Sequence, residues 1–92
     1  MYMIEGIWIG YRSSQDHVVH RTYHRKSDKK FVERVKALGH SITFTDGTSL
    51  RLTVSEVTHK TGREIHGYDS LIRDCAYAGV NSVAALAKAE SR

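Results

Sequence analysis

The chain has no proline and only one cysteine. A lone cysteine, Cys75, cannot close an intramolecular disulfide. That excludes a disulfide-stapled secreted scaffold and fits a reducing compartment, the cytoplasm. With proline absent and glycine scattered, no linker or low-complexity segment divides the chain, and no internal repeat is visible. Long apolar runs are missing as well. The opening stretch MYMIEGIWIGYR carries Glu5 early and has no basic leader, so it reads neither as a signal peptide nor as a membrane span. Catalytic signatures are also missing: there is no nucleophile elbow, no phosphate-binding glycine loop and no paired-carboxylate motif. Ser, His and Asp are all present, but any chain of 92 residues offers such trios. The expectation is a protein without catalytic residues and without a cofactor.

What is present suits one domain, residues 1–92. A chain this size buries roughly two-thirds of its unfolded surface, enough for one core. Fourteen Lys and Arg against ten Asp and Glu leave a formal charge of +4. The isoelectric point is near 9.4. That balance favours an acidic partner: nucleic acid, an anionic protein surface or a nucleoprotein.

The clearest structural signal is SITFTDGTSLRLTVSEV, Ser41 to Val57. Ile42 and Phe44 alternate with polar residues, as do Leu50, Leu52 and Val54. Asp46-Gly47 marks the turn between the two runs. A two-residue Asp-Gly loop would set Phe44 opposite Ser49 and Ile42 opposite Arg51, with the apolar sets on opposite faces. A three-residue loop, Thr45-Asp46-Gly47, pairs Phe44 with Thr48 and Ile42 with Leu50, and all the apolar residues share one face. A one-residue slip flips every side chain, so the three-residue loop with a left-handed Gly47 is expected.

Upstream, Met3 to Tyr11 reads as a strand. Met3, Ile7, Ile9 and Tyr11 share one face, Ile4 and Trp8 the other. Ser13, Ser14, Gln15 and Asp16 make a polar turn. His17 to Arg25, with Val18, Val19, Thr22 and Tyr23, is a second strand that closes a first hairpin. Ser27 to Leu38 is a helix: Ser27 suits the N-cap, Asp28 the first turn and Gly39 the C-terminal cap. Phe31, Val35 and Leu38, with Val32 beside them, form its buried stripe. After the central hairpin, a turn at Lys60-Thr61-Gly62 leads to a short strand around Arg63 to Tyr68. Asp69 caps a helix from Ser70 to Ala78 with Leu71, Ile72, Cys75 and Ala76 on its apolar side, stopped by Gly79. Asn81 or Ser82 caps a last Ala-rich helix carrying Val83 and Leu86. The order is β-β-α-β-β-(β)-α-α. It predicts an α+β domain, an antiparallel sheet of four to five strands with two to three helices packed on it.

Four groups of residues bear on function. The first is the basic segment Arg21 to Lys36, with Arg21, Arg25, Lys26, Lys29, Lys30, Arg34 and Lys36, half of the chain's basic residues. Glu33 can pair with Lys29 and Lys36. Lys30 and Arg34 stand four apart with no acid between them, and Lys26, Lys29 and Lys30 crowd the positive end of the helix dipole. A local cost without a local gain points to a binding role; a solvated helix face is the competing reading. The second is the histidine run HVVHRTYH. On a helix, His20 and His24 would share a face and could grip zinc. On the strand that the valines, Thr22 and Tyr23 favour, they stand roughly 13 Å apart, so no metal site is expected and the rings should be exposed. The third is Cys75, which reads as a buried, inert thiol in an apolar helix stripe. The fourth is Trp8. On an outer sheet face it could stack on a base or anchor a partner; the alternative is packing under a neighbouring element.

Two resemblances add to this. The segment CAYAGVNSVAAL, Cys75 to Leu86, resembles a helix-turn-helix at Ala-Gly-Val-Asn, but Val83 and Lys88 fall where that family places its next buried positions differently, so no recognition helix is assigned. The layout of strands, hairpin and helices is similar to small RNA-binding domains, without their aromatic strand or basic helix-start motifs. Taken whole, the compact single domain, short antiparallel sheet, few helices, one cysteine and lack of a catalytic motif resemble small phage-encoded anti-CRISPR proteins. That resemblance implies a stoichiometric inhibitor docking on a CRISPR effector or nuclease in the host cytoplasm. The basic charge argues against DNA mimicry and toward contact with guide RNA or an acidic protein surface. Arg21, Arg25, Lys26, Lys29, Lys30 and Arg34, with Trp8, are the expected partner-binding residues. A stand-alone nucleic-acid-binding domain is the second reading and a metal-dependent enzyme the third.

Overall fold

The computed structural model describes residues 1–9, 17–38, 41–44 and 47–79. It opens with an antiparallel pair, β1 (Tyr2–Ile9) and β2 (His17–His24). A short 3-10 turn, Lys26–Asp28, leads into α1 (Lys29–Ala37). The second hairpin follows as β3 (Ser41–Thr43) and β4 (Ser49–Glu56). Then come the two-residue β5 (Ile65–His66) and α2 (Asp69–Ala78). The five strands form one sheet in the order β3-β4-β1-β2-β5, with every neighbouring pair antiparallel. This is the expected α+β class; the expected last helix at Asn81 or Ser82, the turn Ser13 to Asp16, Tyr11 and the cap at Gly39 lie outside the described residues.

The central hairpin has the three-residue register. Ile42 pairs with Leu50, and Phe44 N–H donates to Thr48 O at 2.9 Å. Gly47 has φ +89°, a left-handed backbone that an L side chain adopts only at a cost. Ile42, Phe44, Leu50 and Leu52 are all buried on one side as a result.

That side is where both helices contribute. Ile4 of β1, Leu50 and Leu52 of β4, Val32, Val35 and Leu38 of the α1 segment and Leu71, Ile72 and Cys75 of α2 form one core. Cys75 is fully buried, as its helix stripe predicts. Pairing across the sheet puts Ile4 beside Thr22 and Val54, and Trp8 beside His17 and Leu50, on this inner face. The other face carries Met3, Glu5, Ile7 and Ile9.

Two expected caps are corrected. Ser27 does not start the helix. The extended residue is Arg25 (φ −74°, ψ 162°), and the chain turns at Lys26, so Ser27 is already inside the turn. No side chain caps that turn or α1. Asp69 is the first residue of α2 rather than the residue before it; Tyr68 holds that position and makes no side-chain capping bond. The Asp69 carboxylate lies against two imidazoles, hydrogen-bonded to His66 and 2.9 Å from His20. Gly79 ends α2 in the left-handed conformation, φ 72°.

Candidate functional site: a basic aromatic face and a histidine relay

The basic segment divides between two faces. Arg21 turns to the outer face of the sheet, where its Nε lies 2.9 Å from Glu5 Oε2 and its Nη1 donates to Arg63 O at 3.2 Å. It is occupied there and does not join the other cations. Beside it Tyr23 is tied to the following connection, its hydroxyl donating to Gly62 O at 2.9 Å and accepting from Gly62 N–H at 2.7 Å. Arg25, Lys26, Lys29, Lys30 and Arg34 are all exposed on the turn and α1. Lys29 reaches Glu33 at only 3.9 Å, both side chains more than half exposed, so this pair contributes little. The first turn of α1 holds no acid, and Asp28 at its N-cap is the carboxylate set against those lysines at the positive end of the helix dipole.

Arg34 is different. Its guanidinium carbon stands 5.1 Å from the centre of the Tyr77 ring, within cation–π range. Tyr77, on α2, is 62% exposed. Phe31 lies 6.1 Å from Tyr77 on one side and 5.3 Å from the His24 ring on the other. Lys30 sits one turn before Arg34 and shares its side of α1. Cations and tilted, contacting rings therefore alternate across α1, α2 and the end of β2. Phe31, expected in the buried stripe of α1, is half-exposed at its rim and belongs to this face; Val32, Val35 and Leu38 do the burying. Trp8 lies on the inner face of the sheet, half-buried, with its ring 5.1 Å from Phe44 and 5.9 Å from Tyr68. It is packed under neighbouring elements and away from the basic helix.

The histidines are the second feature, and sequence reasoning misplaced them. His20 is 2% exposed. His20, Thr22 and His24 alternate along β2 and all face the helices. Between Gly6 and Ile7 the pairing shifts, so Gly6 opposes His20 while Ile7 opposes Val18, and Val19 is the extra residue of a bulge. The bulge sends Val19 toward the core and Val18 to the outer face. The roughly 13 Å of backbone between His20 and His24 does not separate their rings. Both reach Thr22 Oγ1, His20 Nε2 at 3.2 Å and His24 Nε2 at 2.7 Å. On its other side His20 Nδ1 lies 2.9 Å from Asp69 Oδ1, close but off the hydrogen-bond axis. Asp69 Oδ2 receives His66 Nδ1 at 2.6 Å. Glu64 Oε2 stands 3.8 Å from the far nitrogen of His66.

One assignment of protons satisfies the two contacts at Thr22. His20 carries its proton on Nδ1, toward the carboxylate. Its Nε2 then accepts from Thr22 Oγ1–H, and His24 Nε2–H donates to the same oxygen. Burial pushes His20 down to about 4, with the charges of His24 and His66 adding to that and Asp69 opposing it. Burial also lowers His24, against the pull of Asp28 and Asp69. His66 is raised, first by its hydrogen bond to Asp69 and then by that carboxylate's charge. A cavity of about 30 Å³ adjoins the relay, lined among others by His20, His24, Phe31, Asp69 and Arg73. Among the described residues no three His, Cys, Asp or Glu side chains are grouped to hold a metal ion. The signal for the relay was present in the sequence as His20-x-Thr22-x-His24, polar at every second position of a strand. Which face those positions take depends on their pairing with Gly6, Ile4 and Tyr2 of β1.

Among the described residues, the fold and face together form an α+β domain with a five-stranded sheet, two helices on one side and a cationic, aromatic helical surface. No family model, no curated protein and no solved structure matches this chain.

Proposed function

We propose that this chain is a small binding protein without catalytic residues, which docks on a nucleoprotein complex or nuclease as a stoichiometric inhibitor. The observation that carries the reading is the exposed Tyr77 ring held under Arg34 beside Phe31. An exposed aromatic set among cations is what an anionic partner with apolar or aromatic anchors requires. Arg25, Lys26, Lys29, Lys30 and Arg34 supply the electrostatics. The anti-CRISPR resemblance, a CRISPR effector as the partner and the host cytoplasm as the setting belong to this proposal. No helix among the described residues is long and apolar enough to cross a membrane.

A protein or ribonucleoprotein partner is favoured over naked nucleic acid because the net charge is only +4. Contacts to phosphates alone give dissociation constants of about 10⁻⁴–10⁻⁶ M at physiological salt. The test titrates labelled RNA and DNA oligonucleotides at about 0.15 M salt, alongside cleavage assays with purified CRISPR effectors. Weak oligonucleotide binding and loss of cleavage at equimolar protein are expected. The combined Lys26→Glu, Lys30→Glu and Arg34→Glu variant should keep its fold and lose the inhibition. Nanomolar binding to an oligonucleotide with no other protein present would sink the inhibitor reading and promote a stand-alone nucleic-acid-binding domain.

A further inference from the structure

The inner face of β2 carries His20, Thr22 and His24 where aliphatic residues would seal the sheet against α2. Aliphatic side chains fill a core without needing partners, so stability alone does not select this set. The set does something else: it fastens the first residue of α2. Asp69 sets one oxygen 2.9 Å from His20 Nδ1 of β2, a close polar approach without hydrogen-bond geometry, and its other oxygen is hydrogen-bonded to His66 Nδ1 of β5 at 2.6 Å. One carboxylate thus joins α2 to two strands.

The fastening depends on which nitrogens carry protons. Thr22 has one hydroxyl proton and two imidazoles closing on its oxygen. With both rings neutral, one accepts and the other donates. With both rings charged, two N–H groups point at one hydroxyl oxygen, its own proton loses its acceptor, and two positive charges face each other in a low-dielectric site. The groups that face this site are few. From β2 come His20 and His24, from β5 His66, and from the residues before it Glu64; α2 brings Asp69 and Arg73, and the turn ahead of α1 brings Asp28. Arg73 adds a further positive charge. The cavity of about 30 Å³ beside the relay is large enough for a water molecule, which gives solvent protons access.

We propose that the relay is a proton-operated latch on α2: neutral His20 and His24 seat the helix on the sheet through Thr22 and Asp69, and acidification charges both rings and releases it. Release takes Tyr77 away from Phe31 and Arg34 and so dismantles the docking face; this consequence rests on the binding role given to that face, whereas the latch itself does not. His66 acts in the opposite sense. Once protonated it strengthens the pair with Asp69, so the latch is tightest at a pH where His66 is charged and His20 and His24 are not.

Amide hydrogen exchange followed by NMR tests the latch without any partner. Protection is measured at pH 7 and pH 5 and corrected for intrinsic exchange. Amides of Ile72, Cys75 and Ala76 report on α2, and those of Ile4 and Leu52 on the sheet. The expected result is a loss of protection in α2 about tenfold greater than in the sheet. His20→Gln and His24→Gln should each blunt it. Equal loss in both elements, or an undiminished pH response in His24→Gln, overturns the latch. Should His20→Gln fail to fold, ring titrations of the unmodified protein decide: ordinary titration of both His20 and His24, near 6.5, overturns it as well. Loss of the inhibitor reading in the binding assays leaves these outcomes unchanged.

Discussion

His20 and Asp69 meet 2.9 Å apart, an imidazole of the second strand against the carboxylate that begins the last described helix. The ring is 3% exposed and the carboxylate 31%, so the pair spans the boundary between core and solvent. One end of the relay is therefore governed by burial and the other by charge.

That asymmetry sets the pH dependence of folding. His20 is held at about 4 in the folded chain against 6.5 when unfolded, and His24 is lowered too. The unfolded chain takes up these protons first, so stability is intact above about pH 6.5, falls on acidification and is fully reduced below about pH 4. For His20 the ceiling on this loss is on the order of 3 kcal/mol. His66 has the opposite sign: its raised affinity for a proton stabilises the fold at low pH and is lost as pH rises through its folded value. Denaturant midpoints between pH 4 and 8 should rise from the acid side and then flatten or dip. A midpoint that climbs steadily as pH falls from 7 to 5 contradicts the burial of His20.

Gly47→Ala is expected to destabilise the protein by about 1–2 kcal/mol, because φ is +89° at that position. Nothing lies within 4 Å of the added Cβ, so the loss comes from the backbone and not from a clash. An unchanged urea midpoint would remove the left-handed turn.

Tyr77→Ala should leave folding within about 1 kcal/mol, since the side chain is mostly in solvent. The same substitution should weaken partner binding about tenfold or more if the ring is an anchor. Thermal melts and a binding titration on one preparation separate the two effects. Equal affinity for both proteins would take Tyr77 out of the docking face.

No tightly bound transition metal is expected. His20 Nε2 and His24 Nε2 both close on Thr22 Oγ1, and His66 Nδ1 on Asp69. Elemental analysis of untagged, dialysed protein should find far less than one equivalent. Near-stoichiometric zinc whose removal by chelator unfolds the chain would reverse this.

The sequence by itself determined the local elements, because period-two and period-3.6 patterns and turn chemistry act between neighbours along the chain. The Gly47 turn and the Ile42–Leu50 register follow from requiring Phe44, Leu50 and Leu52 to share a face. The stops at Asp69 and Gly79 follow in the same way, to within a residue. Only the tertiary structure decided the rest. β1 sits at the centre of the sheet because it pairs with both β2 and β4, and no local signal links Ile4 to Val54. Arg21 left the basic group because a strand alternates, and its side chain fell to the face that holds Glu5. The pairing of His20, Thr22 and His24 with Gly6, Ile4 and Tyr2 put them on the face of Ile4, so that His20 and His24 turned inward. Asp69 reached them only because α2 packs across that strand, a contact between distant parts of the chain that no spacing along it encodes.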